Sequence, residues 1–101
     1  MLLYSPFPDG PSARSAAEAL LSESLIACAN ILPAGQSLYV WQGTLTETAE
    51  TLLIAKTTQA MAAQAAARLE ALHPYDTPAI LQLQAEANAP YAAWVEQMLS
   101  A

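Results

Sequence analysis

Hydrophobic and polar positions along the chain change period several times, and each change predicts an element. Leu2-Leu3-Tyr4 is a short apolar run that stops at Pro6-Phe7-Pro8-Asp9-Gly10-Pro11. It reads as a strand running into a turn. Ala13, Ala17, Leu20 and Leu21 then recur at helical intervals and predict a helix of about 12 residues. Ser12 is its expected N-cap, and Ser15 with Glu18 matches capping-box spacing. Leu25–Leu32 is apolar and ends at Pro33-Ala34-Gly35. Proline cannot donate to a ladder, so a break or bulge is expected there. Ser37–Gln42 resumes as a strand, Gly43-Thr44 turns tightly, and Thr46–Thr57 returns, which predicts a hairpin with long arms.

Thr57 or Thr58 caps a second helix whose apolar stripe is Met61, Ala65, Leu69 and Leu72. It must stop near His73, because Pro74 disfavours helix for the residue before it. Ile80–Glu86 alternates as Leu81, Leu83, Ala85 against Gln82, Gln84, Glu86, the pattern of a half-buried strand. Asn88 caps a last helix with Pro90 in its first turn, where proline is tolerated. Tyr91, Trp94, Val95, Met98 and Leu99 give that helix an amphipathic face. The order β-α-β-β-α-β-α predicts an α+β fold over residues 1–101 as one domain. It is a ferredoxin-like split βαβ sandwich with a long β-hairpin and an extra C-terminal helix.

In that architecture helices cover one face of the sheet and leave the other open. On the hairpin, Leu38 and Val40 point one way and Tyr39 and Trp41 the other. Leu52 and Ile54 oppose Leu53 and Ala55 in the same sense. Both faces are therefore apolar while the helices supply cover for one. Five or six side chains at ~1.5–3 kcal/mol of burial each would be a heavy loss in water. The pattern predicts a homo-oligomer with the hairpins at its centre. The alternative is that the C-terminal helix covers that face alone.

Composition narrows the class. With 54% hydrophobic and 12% charged residues the chain is not disordered. Three Lys+Arg against nine Asp+Glu give a net charge of −6, which argues against nucleic acid and anionic membranes as partners. Apolar runs such as Leu52–Ala55 are far short of the ~20 residues a span needs. One cysteine, Cys28, makes no intrachain disulfide, and Met1–Tyr4 does not read as a signal peptide; both favour the cytoplasm.

No Ser/His/Asp set, P-loop or GxGxxG is present, so an enzyme is not expected. Cys28, in Ala27-Cys28-Ala29, reads as a small buried hydrophobe, with a reactive thiol or ligand as the alternative. His73 lies at a helix end, where the dipole favours its charged form; the functional reading is a metal ligand or a pocket hydrogen-bonding group. Lys56 is either a lone surface charge or the cation of an anion-binding pocket, and Tyr39 and Trp41 are interface core or ligand-stacking rings. A single imidazole and a single thiol per chain make a closed metal site improbable and any metal binding weak.

Several segments together resemble the CutA family, the divalent-cation tolerance proteins. They are Ala27-Cys28-Ala29-Asn30-Ile31-Leu32-Pro33, Ser37-Leu38-Tyr39-Val40-Trp41-Gln42-Gly43, Leu53-Ile54-Ala55-Lys56-Thr57, His73-Pro74-Tyr75-Asp76-Thr77-Pro78, and Tyr91 through Trp94. The resemblance implies a ferredoxin-like homotrimer linked to copper and divalent-metal tolerance. Proposed family ligands are a first-strand Cys and a His pair before Pro-Tyr. Here those positions hold Ser5 and Leu72-His73, so only His73 carries over as a metal ligand, with Asp76 able to add an oxygen donor. A second implication comes from trimeric PII regulators, which place small-molecule ligands in clefts between subunits. Trp41, Lys56, His73 and Tyr75 are the candidates for such a pocket.

Overall fold

The computed structural model describes residues 1–100. Along the chain run β1 (Leu2–Phe7), α1 (Gly10–Ser22), β2 (Cys28–Trp41), β3 (Thr44–Lys56), α2 (Gln59–Leu72), β4 (Leu81–Leu83) and α3 (Ala89–Leu99). The strands form one antiparallel sheet in the order β2-β3-β1-β4, so β2 and β4 are its edges. This is the expected split βαβ topology with a long hairpin and an added helix.

β1 runs two residues past the predicted stop because Pro6 costs it nothing. Its carbonyl accepts from His73 Nε2, so the side of Pro6 that lacks an N–H faces the loop after α2. β4 pairs only with Leu2, Leu3 and Tyr4 and has no partner to offer at Pro6. The cap of α1 also differs from expectation. Asp9, not Ser12, is the N-cap: its carboxylate accepts from the Ser12 amide at 2.8 Å, and that bond holds its pKa below the usual value. Glu18 closes no capping box with Ser15; it accepts from Arg14 Nε one turn earlier. On α2 the cap is Thr58, whose Oγ1 accepts from the Met61 amide.

The hairpin turn is Gln42-Gly43, one residue earlier than predicted. Trp41 and Thr44 are the last pair, and both turn residues have positive φ (51° and 78°). Two left-handed residues make the primed turn whose twist suits a two-residue hairpin loop. The break at Pro33 is a bulge: Pro33 and Ala34 together oppose Thr51, between the Leu32–Leu52 and Gly35–Glu50 pairs. A Cβ on Gly35 would meet the Glu50 carbonyl at 2.9 Å, so the bulge demands glycine there. The extra residue also inverts parity along β2. Cys28, Asn30 and Leu32 share one face before it, and Gly35, Ser37, Tyr39 and Trp41 continue that face after it.

Burial separates the two faces. Leu3, Ser5 and Phe7 of β1 and Thr51, Leu53 and Ala55 of β3 are buried beneath the helices. They pack with Leu20, Ile26, Leu69 and the alanines Ala13, Ala16, Ala17, Ala65 and Ala66. The small alanine side chains let both helices lie close to the sheet. The stripe of α2 is accordingly Ala62, Ala65, Ala66 and Leu69, with Met61 and Leu72 only half-buried at its margins. Two buried hydroxyls find acceptors: Ser5 Oγ donates to the Ala79 carbonyl at 2.7 Å, and Thr57 Oγ1 to that of Leu25 at 2.8 Å.

The opposite face carries Leu2, Tyr4, Leu32, Leu52, Ile54, Leu81 and Leu83. The last strand is shorter and more exposed than its alternation suggested: only Leu81–Leu83 pair, and all three are exposed. Beyond the bulge the hairpin projects as a two-stranded ribbon, with Leu38 67%, Val40 70%, Trp41 62% and Leu45 73% exposed. The C-terminal helix does not cover them. Of its predicted stripe only Val95 is buried, while Trp94 and Met98 are exposed. It packs beside Leu2 and Lys56 at the opposite end of β3 from the ribbon tip.

Candidate functional site

The end of α2 and the loop after it build the most connected polar site. Pro74 stops α2, leaving His73 as a C-cap with extended backbone. Its ring turns inward, is 8% exposed, and stacks on Phe7 at 4.0 Å between centroids. Nε2 lies 2.9 Å from the Pro6 carbonyl, which can only accept, so Nε2 carries the proton. Nδ1 accepts the Tyr75 amide at 3.2 Å. This fixes one neutral tautomer. Burial lowers the pKa of His73 below 6.5, against smaller upward pulls from the Pro6 bond and the Glu50 charge. The helix-dipole reading, which favours the cation, is corrected here: burial and the amide on Nδ1 favour the neutral ring.

Tyr75 extends the network across the sheet. Its hydroxyl donates to Glu50 Oε2 at 2.8 Å, and Ser37 Oγ donates to Oε1 of the same carboxylate. Beside them the Tyr39 and Thr48 hydroxyls share a hydrogen bond of 2.9 Å. Burial, then the bond to Glu50 and its negative charge, push the Tyr75 phenol up to about 12. These residues with Pro6, Thr77 and Ala79 line a cleft of about 550 Å³. The bulge places Ser37 and Tyr39 on the Glu50 face, and the His73–Tyr75 bond sets the loop that brings Tyr75 over. Sequence reasoning missed Glu50. Its signal was the two-residue period of β3, which puts Glu50 in line with Leu52 and Ile54 on an apolar face where a carboxylate needs donors.

The other predicted residues are not brought together within one chain. Lys56 pairs with Leu2 and Cys28 at the sheet end beside α3, and its Nζ lies 5.3 Å over the Tyr91 ring. Trp41 sits at the hairpin tip, 12 residues along β3 from Lys56 through its partner Thr44, a run of about 40 Å. His73 and Tyr75 lie between them, with ring centroids 4.9 Å apart. Cys28 is half-buried on the open face, not sealed in the core. Ser5, at the first-strand position, is buried on the helix-covered face and donates to the loop after Tyr75. Asp76 is exposed. No group of three His, Cys, Asp or Glu side chains able to hold a metal forms among the described residues. No helix among them is long and apolar enough to cross a membrane.

The arrangement is a carboxylate with both oxygens held, a neutral imidazole with both nitrogens engaged, and a set of hydroxyls. Residues 1–98 match the family described as CutA1 divalent ion tolerance protein. The divalent-cation tolerance protein CutA of Thermus thermophilus is 43% identical over 91 residues, covering 89% of this chain and 88% of that protein. The CutA of Pyrococcus horikoshii is 38% identical over 96 residues, covering 94% and 93%. Among solved structures, the divalent ion tolerance protein CutA1 from Ehrlichia chaffeensis superposes with a TM-score of 0.93 at 37% identity, covering 99% of this chain and 94% of that one. Fold, motif order and whole-length similarity agree, and the chain belongs to the CutA1 divalent-ion tolerance family.

Proposed function

We propose that this chain works as a homotrimer in the cellular response to divalent metal ions, copper included, as a non-catalytic cytoplasmic protein whose own affinity for metal is weak. The observation that carries the reading is the unfinished half of the sheet: an apolar open face and a projecting ribbon that α3 leaves bare, in a chain of the CutA1 family. A ribbon of two strands is marginal on its own in water, so its partners come from other copies. The number three rests on the family resemblance, and the cytoplasmic location on the single unpaired cysteine.

Weak metal binding follows from how His73 is held. Donation from Nε2 to a carbonyl is the arrangement that commonly orients a metal-bound imidazole, leaving Nδ1 as the only ring donor. Nδ1 coordinates a metal only by giving up the Tyr75 amide, and the nearest carboxylates in sequence, Glu70 and Asp76, are both exposed. The pocket expected from Trp41, Lys56 and Tyr75 likewise needs a second copy, because a single chain keeps them apart. Sedimentation equilibrium at micromolar concentration tests the assembly: three chain masses are expected, and a folded monomer overturns it. Calorimetry with copper at pH 7.5 and 5.5, on the unmodified protein and His73→Ala, tests the metal reading. Weak binding that fades at low pH and with the substitution is expected; tight binding that survives both overturns it.

A further inference from the structure

The chain has three Lys+Arg residues. Two are spent on carboxylates, Arg14 on Glu18 at 2.6 Å and Arg68 on Glu23 at 2.9 Å. Among the described residues Lys56 has no such partner and lies instead over the Tyr91 ring. It stands in the wall of a second cavity, of about 570 Å³, between the end of β3, the start of α2 and α3. That volume lies within the range of small-molecule sites, roughly 300–1,000 Å³, and a few polar groups converging in a mostly apolar wall are their usual form. The apolar wall here includes Leu2, Ala92 and Val95, with the Tyr91 ring beside them. At the polar end Lys56 is joined by Thr58 and Gln59, which open α2. Of the amides in that first turn, that of Met61 is capped by Thr58, and those of Gln59 and Ala60 have no acceptor within the helix. Glu86 and Glu96 also line the cavity, as does Met1, whose α-ammonium donates to the Thr57 carbonyl, so two cations are set among two carboxylates. That balance disfavours a dianion such as phosphate and admits a single negative charge.

We propose that this cavity binds a small monocarboxylate with a compact apolar body, the carboxylate on Lys56 and the body against Tyr91 and Val95. The lining named here comes from one chain, away from the Glu50 cleft and the ribbon, and the proposal does not depend on metal binding. The test is an NMR titration of the full chain with sodium benzoate, benzyl alcohol and inorganic phosphate in turn. Benzoate should produce saturable shifts at Lys56, Thr58, Tyr91 and Val95 in the millimolar range. Benzyl alcohol keeps the ring and loses the charge, so it should bind roughly tenfold more weakly, the loss of one charged hydrogen bond. Lys56→Met should weaken benzoate by the same factor and leave benzyl alcohol unchanged. Shifts centred elsewhere, benzyl alcohol equal to benzoate, phosphate tighter than benzoate, or a folded Lys56→Met that binds benzoate as well as before would each overturn the proposal. If that variant does not fold, the ratio of benzoate to benzyl alcohol on the unmodified protein still decides.

Discussion

On β3, Thr51, Leu53 and Ala55 lie beneath α1 and α2, and Leu52 and Ile54, each one residue away, lie on the side those helices do not reach. Both sets are apolar, but only one is finished by its own chain. On the helix-covered side Leu3, Phe7, Leu20 and Leu53 are sealed in the core, and the buried Ser5 and Thr57 hydroxyls have acceptors. On the open side α3 reaches only the end at Leu2 and Lys56, and apolar exposure grows along the sheet toward Trp41. A strand alternates its side chains between two environments, so a single segment can serve folding with one residue and association with the next. In the intermediate region around Glu50 the open side is finished internally, by polar groups drawn from three separate stretches of chain.

That contrast breaks most visibly with a charge on either side of β3. Leu53→Asp buries an unpaired carboxylate in the core and should cost more than about 5 kcal/mol, enough to abolish cooperative unfolding in calorimetry. Leu52→Asp, its neighbour on the open side, should keep the circular dichroism spectrum and lose assembly in sedimentation. If both variants unfold alike, the two faces are not different in kind. Next in size is Trp41→Ala. A chain that keeps Trp41 62% exposed gains little from it alone. In the assembled protein the substitution should cost about 3–5 kcal/mol. The loss should shrink as the protein is diluted toward single chains. Equal melting temperatures for variant and parent at every concentration would place the interface elsewhere.

A smaller effect reads the polar join through pH. Unfolded, His73 takes up a proton near 6.5; folded, burial delays that uptake to lower pH. The unfolded chain therefore binds more protons in that interval, and stability falls as pH drops below about 6.5, by at most about 1.4 kcal/mol per pH unit. Below the folded pKa no further loss comes from this residue, and above 6.5 its contribution is complete. His73→Leu should flatten that part of the stability profile measured by urea unfolding at pH 5–7.5; an unchanged slope would assign it to other groups. Smallest is Tyr75→Phe. It removes one donor from a half-buried carboxylate that keeps Ser37 as a second, so about 1 kcal/mol is expected in the same assay. A larger loss would mean that Tyr75 holds the loop itself.

Much of this molecule is written in local pattern. Period located the elements in their order, because a helix or a paired strand declares its buried face every few residues. Pro33 announced the bulge because it has no donor, and Pro74 set the end of α2 by crowding the residue before it. The failures share a cause. Pro6 was a strand ending by propensity and a strand interior in fact, because only the sheet order shows that no neighbour asks it for a hydrogen bond. The turn moved to Gln42-Gly43 because cross-strand register, not residue preference, chose which pair would take positive φ. The last strand shrank to three residues because alternation gives a face but not a partner. The same division runs through the site. The sequence singled out His73, Tyr75 and Lys56 as residues able to carry chemistry, since so few such groups are present. Only the tertiary structure decided that Pro6 and Tyr75 engage both nitrogens of His73, that Glu50 gathers the hydroxyls, and that Lys56 faces Tyr91 at a separate end. Apart from the local His73–Tyr75 bond, those contacts join residues 13 to 67 positions apart, and a local period carries no information about what meets at that range.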